Sequence, residues 1–321
     1  MVNTVLGPVP VSELGVTLMH EHIVNIEWNI ARNFPEFYDK ATVVDMFCKE
    51  AEQLKAYGVR TWVDPTPITL GRDVSLMRQC AEKSGLNIIA CTGIYWNVQP
   101  YFHYGIDPEV LADLMLREVE QGMEGTDSLP GFLKCAGNTA IANTEIERNM
   151  LIATAMVAKQ TGLPVYTHTQ PGSRMALWQK EVFDEYGIPT HKVAYGHTFS
   201  KIDEEYIRQI MGSGAWACCD QLGYAGSGTL DPLDRQIDIL EKLFREDLHK
   251  NMFLSCDWGV RSDFGGTLTK ARYERNRAPQ RPSTRRRKVL FETVLPELEK
   301  RGIPKEKLME VLVDNPHRFF A

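Results

Sequence analysis

The sequence predicts an α/β protein folded as a (β/α)8 TIM barrel, on three observations. Eight short apolar runs, each the length of one strand, recur along the 321 residues. An amphipathic helical pattern follows most of them. No Gly/Ser tract, Pro-rich linker or shift in composition divides the chain, so residues 1–321 read as a single domain.

The eight runs, in order, are VTLMHEH (16–22), VRTWVDP (59–65), NIIACTG (87–93), GFLKCAG (131–137), PVYTHT (164–169), KVAYGHT (192–198), AWACC (215–219) and MFLSCDW (252–258). In the first, residues two apart point the same way, so Val16, Leu18, His20 and His22 are expected on one face. Leu18 then continues the core, while Glu21 faces the helices and pairs there. The clearest helix spans 144–161. Thr144 and Glu147 form a capping box, Ile146, Met150, Ala153 and Val157 an apolar stripe, and Gly162 with Pro164 ends it. A second covers 203–211 behind a cap region at Ser200 to Asp203. A third, 285–301, brings Val289, Leu290, Val294 and Leu298 onto one face. Arg285 to Lys288 open that helix and are expected on its solvent side. Adjacent Cys218 and Cys219 read as small buried hydrophobes.

Composition sets the class. The chain is 43% hydrophobic and 24% charged with a formal net charge of -6. That balance gives no footprint for nucleic acid or an anionic membrane. No apolar run approaches the roughly 18–20 residues of a membrane span. The start, MVNTVLGPVPVSELG, lacks a basic region followed by a long apolar one. The seven cysteines contain no CxxC pair. Free thiols in a cytoplasmic protein are expected.

In such a barrel, chemistry sits at the C-terminal ends of the strands. His20 and His22 end strand one, Lys134 lies on strand four, His168 on strand five, His197 on strand six and Asp257 on strand eight. A single histidine in a strand is more often an ordinary core residue, as are His103, His191, His249 and His317 at loops and helix ends. Six ionisable groups at one barrel mouth are another matter. Burying each alone is costly, whereas cations at their centre supply the missing charge. Four imidazoles and a carboxylate suit Zn or a similar divalent ion, with Mn, Co or Fe also compatible. A buried neutral lysine can react with CO₂ to give a carbamate, a two-oxygen anion. The expected centre is therefore binuclear. His20, His22 and Asp257 hold one metal, His168 and His197 the other, and N6-carboxylysine at Lys134 bridges them. A metal-bridging hydroxide is the expected nucleophile.

The order HxH, Lys, His, His, Asp resembles the amidohydrolase superfamily. TLMHEH (17–22), VDPTP (63–67), GRD (71–73), TGIY (92–95), FLKCAG (132–137), THT (167–169), YGHT (195–198), CDWG (256–259) and NPHRFF (315–320) are similar to landmarks of its phosphotriesterase-like lactonase family. The resemblance implies hydrolysis of lactones, esters or phosphotriesters. It implies that Asp257 accepts the nucleophile's proton and that Tyr95 contacts substrate beside the metals. It also implies a homodimer. Amide hydrolysis, known elsewhere in the superfamily, and an inactive barrel that only binds are the competing expectations. There is one departure. Lactonases of the family often carry Asp-Arg after strand seven, where this chain has Asp220-Gln221.

The segment after Asp257 is locally inverted in charge. From Lys270 to Lys288 it holds nine basic residues and one acid, Glu274. Arginine suits bidentate phosphate or carboxylate recognition. Lys270, Arg272, Tyr273 and Arg275 are accordingly the expected contacts to an anionic small-molecule substrate, such as a phosphorylated sugar lactone. A solvated or interface face is the alternative use of this segment.

Overall fold

The computed structural model describes residues 1–95, 105–138, 145–224, 230–263, 270, 274 and 284–321. Eight parallel strands form one sheet: β1 (Val16–Leu18), β2 (Val59–Asp64), β3 (Asn87–Gly93), β4 (Phe132–Ala136), β5 (Val165–His168), β6 (Val193–Tyr195), β7 (Trp216–Cys219) and β8 (Met252–Leu254). They neighbour one another in chain order, as right-handed βα units require. The helices Lys40–Lys55, Val74–Ser84, Pro108–Gln121, Glu145–Thr161, Met175–Glu185, Glu204–Gly212 and Leu233–Arg245 follow the first seven strands, and a helical run from Thr284 to Lys300 follows the eighth. This is the expected (β/α)8 barrel. Acidic side chains start several helices: Asp73 accepts from the Leu76 N–H and Asp203 from the Tyr206 N–H. Among the described residues no helix is long and apolar enough to cross a membrane.

Strand alternation divides the core in two. Val63, Ile89, Cys91, Phe132, Tyr166, Ala194, Trp216, Cys218 and Phe253 fill the barrel interior, with Phe319 and Phe320 closing its lower end. Leu18, Trp62, Leu133, Cys135, Val165, Ala217 and Leu254 face the helices. Both Cys218 and Cys219 are fully buried, one on each side. The period-two rule also places Lys134 on the interior side with Phe132, one step higher.

Two expectations need correction. The first run is not one strand to His22. β1 ends at Leu18, and a second short strand, His22–Ile26, begins at the histidine and pairs with Gly259–Asp263. The register of β1 also shifts between Val16 and Thr17. Leu18 therefore faces the helices, and His20 and His22 owe their direction to the bend rather than to alternation. Second, Arg287 is not on a solvent face. It is fully buried against Glu21 and Glu50. The expected capping box on 144–161 involves Thr144, which lies outside the described residues. Glu147 Oε1 accepts from the Asn138 N–H at 2.7 Å. Leu290, Val294 and Leu298 do share a buried face.

β1 and β8 close the barrel without a ladder of their own. The Asp257 N–H donates to the His20 carbonyl at 3.0 Å, and the His20 N–H to Ser255 Oγ at 3.0 Å. The seam that joins the two ends of the sheet is thus where three of the expected site residues sit.

Candidate metal centre

His20, His22, Lys134, His168, His197 and Asp257 converge on one polar cavity of about 200 Å³ at the C-terminal mouth of the barrel. Tyr95, Gln221, Tyr224, Asn25, Ser262 and Leu70 complete much of its wall. Lys270 is not among the lining residues; it is 89% exposed and 3.9 Å from Glu274. Arg272, Tyr273 and Arg275 lie outside the described residues, as does His103.

Backbone geometry aims two of these side chains. His197 and Asp257 have φ of 64° and 54°, a left-handed conformation that costs a non-glycine residue about 1–3 kcal/mol. Hydrogen bonds hold both in place: His197 N–H to Asp220 Oδ1 at 2.9 Å, and Asp257 N–H to the His20 carbonyl. Gly93 (φ 130°) allows β3 to pass the Lys134 carbonyl, where a Cβ would stand 1.8 Å from the oxygen. Any other residue would push β4 and its lysine aside.

Asp220 organises the imidazoles. It is fully buried, and its two oxygens accept from His20 Nδ1 at 2.8 Å, His197 Nδ1 at 3.0 Å and the Tyr166 hydroxyl at 2.8 Å. These are hydrogen-bond distances on the far side of the rings, so Asp220 orients the ligand candidates rather than joining them. A carboxylate at Nδ1 fixes the N–H there and leaves Nε2 with its lone pair. On His22, Nδ1 donates to Thr66 Oγ1 at 2.6 Å, whose own proton goes to Asp64 Oδ1 at 2.5 Å. Sequence reasoning passed over Asp220 as an orienting group. It ends β7, so the strand-end rule applied to all eight strands would have flagged it.

The opposite ring atoms face each other. His20 Nε2 lies 3.3 Å and His22 Nε2 3.1 Å from the same oxygen, Asp257 Oδ1. In the metal-free protein a proton on His22 offsets the crowding of these donors, and a divalent cation among them would offset it as well. Donor atoms about 2.0–2.2 Å from a tetrahedral zinc stand about 3.3–3.6 Å apart, close to the separations found here, so the residues present fit a divalent cation. Asp257 is held well below the usual carboxylate range, because His20, His22 and His197 outweigh the effect of burial. Burial drives His20 down to about 4. Burial acts the same way on His22, but Asp257 and Asp64 overcome it and raise that imidazole to about 9.

The His22 shift predicts how metal uptake depends on pH. Its folded value lies above the ordinary 6.5, so the proton stabilises the metal-free fold fully below pH 6.5 and is lost as pH rises through about 9. A cation must displace that proton. Affinity should therefore rise about tenfold per pH unit from 7 towards 9, with about one proton released at neutral pH. Calorimetry in buffers of different ionisation enthalpy measures this, and an affinity flat from pH 7 to 9 would contradict it.

The second half of the centre is built differently. The His168 and His197 rings are 4.6 Å apart, and the Tyr95 hydroxyl is 3.0 Å from His168 Nδ1. Burial, then the charges of His197 and Lys134, hold His168 well below its ordinary value. Lys134 is 1% exposed, with its ammonium 5.1 Å from the Tyr166 ring centre and no ion pair among the described residues. Burial lowers its pKa. Gln221, the departure from the Asp-Arg that lactonases of the family often carry, donates from Nε2 to Asp257 Oδ2 at 2.9 Å and accepts from Ser200 Oγ at 2.6 Å. Two groups of potential ligands emerge within 4.8 Å, His20–His22–Asp257 and His20–His197–Asp220. Among the described residues the first could hold a cation, and the second is the hydrogen-bonded side just described.

Comparison with known proteins bears on the family alone. The model of the phosphotriesterase family matches residues 1–320. A phosphotriesterase homology protein of Mycobacterium tuberculosis is 33% identical over 99% of this chain and 97% of its own length. An aryldialkylphosphatase of Saccharolobus solfataricus is 27% identical over 96% of each. A phospho-furanose lactonase of Mycoplasmopsis synoviae is 27% identical over 99% of this chain and 91% of its own.

Proposed function

This chain belongs to the phosphotriesterase family, a family of metal-dependent hydrolases, and we propose that it acts as a lactonase on phosphorylated or otherwise anionic sugar lactones. The observation that carries the hydrolytic reading is the convergence of His20 Nε2 and His22 Nε2 on Asp257 Oδ1. The sugar lactone is supported by the cavity wall. Asn25, Gln221, Ser262 and the tyrosines offer hydrogen bonds where an acyl chain would need apolar surface. Asn25 Oδ1 is buried with no hydrogen-bond partner among the described residues, and a substrate hydroxyl would satisfy it. The relatives named phospho-furanose lactonase point the same way.

His20, His22 and Asp257 would hold one cation and His168 and His197 a second, with carboxylated Lys134 shared between them. The nitrogen-rich donor set favours zinc, and Mn, Co and Fe fit similar ligands. Such ions supply Lewis acidity: a nucleophile from water at neutral pH and a polarised scissile carbonyl or phosphoryl group. The chain's own residues do the rest. Asp257 accepts the nucleophile's proton and passes it to the leaving group or to solvent. Gln221 fixes the carboxylate through its N–H but, being an amide, carries no proton onward. Tyr95 presents its hydroxyl to the substrate oxygen beside His168.

One observation favours a second reading, a phosphotriesterase or carboxylesterase for neutral substrates. Apart from Lys134 and the histidines, no cation lines the cavity among the described residues. A panel on metal-reconstituted protein separates the two. The sugar-phosphate reading expects kcat/KM for a phosphorylated furanose lactone at least about tenfold above its unphosphorylated form, an increment of about 1.4 kcal/mol. Equal values remove the anionic preference, and a neutral phosphotriester exceeding every lactone transfers the function. The remaining parts of the proposal are a small molecule as partner rather than nucleic acid or membrane, a cytoplasmic setting supported by seven free cysteines, and a homodimer, which sedimentation would measure.

A further inference from the structure

Arg287 sits in the basic stretch that follows Asp257, yet its side chain is fully buried. Its guanidinium lies 4.5 Å over the Trp62 ring. Nε donates to Glu21 Oε2 at 2.6 Å, and Nη1 donates to Glu50 Oε1. Nη2 donates to the Trp258 carbonyl and, at 3.5 Å, to the His22 carbonyl. Glu21 extends the same network. Its Oε1 accepts from the Cys256 N–H at 2.8 Å and the Ser255 hydroxyl at 2.9 Å, and its Oε2 accepts from the Trp258 N–H at 3.2 Å.

One guanidinium and one carboxylate therefore tie together segments 20–22 and 255–258. These segments carry His20, His22 and Asp257. They also form the seam of the barrel, where β1 and β8 share no ladder. Asp257 holds a left-handed backbone there, which persists only while its surroundings fix it. Arg287 is well suited to this, because its rigid fork reaches two carboxylates and two carbonyls at once.

We propose that Arg287, acting through Glu21, is a positioning residue that sets the spacing of His20, His22 and Asp257. This rests on the reading of the site as a metal-dependent hydrolase. Arg287 touches no ligand atom, so its effect is on where the donors stand.

The test is a zinc titration of metal-free protein against a competing chelator, read with kcat and KM on a lactone, for wild type, Arg287→Met, Arg287→Lys, Glu21→Gln and Glu50→Gln. Losing a group that holds metal ligands in place typically weakens metal binding about 10–100-fold, and that range is expected for Arg287→Met, with kcat lowered and KM within about twofold. Arg287→Lys restores part of the affinity, since an ammonium reaches Glu21 but not both carbonyls. Glu50→Gln, on the far side of the guanidinium, lowers the melting temperature and keeps zinc affinity within about twofold. Wild-type zinc affinity in a folded Arg287→Met overturns the proposal, as does an equal loss in Arg287→Met and Glu50→Gln. Where Arg287→Met does not fold, wild-type affinity in both Arg287→Lys and Glu21→Gln overturns it. A wild-type protein that takes up no divalent metal fails the hydrolase reading itself, and this proposal with it.

Discussion

Lys134→Ala should lower kcat/KM by on the order of 10³-fold, about 4 kcal/mol of lost transition-state stabilisation, and should strip most of the divalent metal from the protein. The expectation follows from where the side chain lies. Lys134 is on β4 with its ammonium inside the ring of imidazoles, 1% exposed. A cationic lysine there would repel divalent ions, and among the described residues no carboxylate within ion-pair distance offsets it. Burial favours the neutral amine. A neutral amine attacks CO₂, forming the N–C bond and releasing a proton to solvent. The group then carries one negative charge shared by two oxygens, where a protonated lysine would carry a positive one. Alanine leaves the cavity one anion short, so short carboxylic acids added to the variant should partly restore both metal and rate. Lys134→Arg is the informative companion. It keeps a cation and cannot form the carbamate, so it should be as inactive as alanine. Full activity in Lys134→Ala, or activity retained in Lys134→Arg, would end the bridging assignment. Metal content by elemental analysis and kcat/KM on the same preparations decide the matter.

Asp220→Asn should cost about 10²–10⁴-fold in kcat, by the precedent that a wrong histidine tautomer alone can cost about 10⁴. The substitution is nearly isosteric, so the fold should survive. What changes is the hydrogen-bond polarity. Asp220 now accepts from His20 Nδ1, His197 Nδ1, the His197 N–H and the Tyr166 hydroxyl. Asparagine has a single acceptor oxygen and presents an N–H₂ to one of the rings. That ring must then carry its proton on Nε2, which removes the lone pair a cation needs. The loss of carboxylate charge also weakens the basicity of both imidazoles. Metal affinity should fall with kcat, while the circular-dichroism spectrum stays as in wild type. Unchanged zinc affinity in a folded Asp220→Asn would show that the tautomers are set elsewhere.

Much of the barrel is legible in the sequence. The apolar runs 59–65, 87–93 and 131–137 became Val59–Asp64, Asn87–Gly93 and Phe132–Ala136. Each is a local pattern, bounded by glycine, proline or a change of period, and local patterns survive in the fold. His20, His22, Lys134, His168, His197 and Asp257 are equally legible, since a polar side chain at the end of an apolar strand is conspicuous before any contact is known. The run 16–22 misled because its alternation continues past the point where the chain bends. Nothing in VTLMHEH records that the backbone leaves the sheet at Met19 to meet the segment around Ser255.

Hydrophobic period and residue chemistry were enough to locate eight apolar runs and the six polar groups in or just after them, because these depend on neighbours within a few residues. Tertiary structure alone decided how those groups face one another. Asp220 orients His20 from 200 residues away, and Arg287 grips Glu21 from 266. Arg287 reads as a solvated helix residue until the seam closes over it. Buried charge pairing is settled by which distant segments meet, and one-dimensional periodicity carries no record of that meeting.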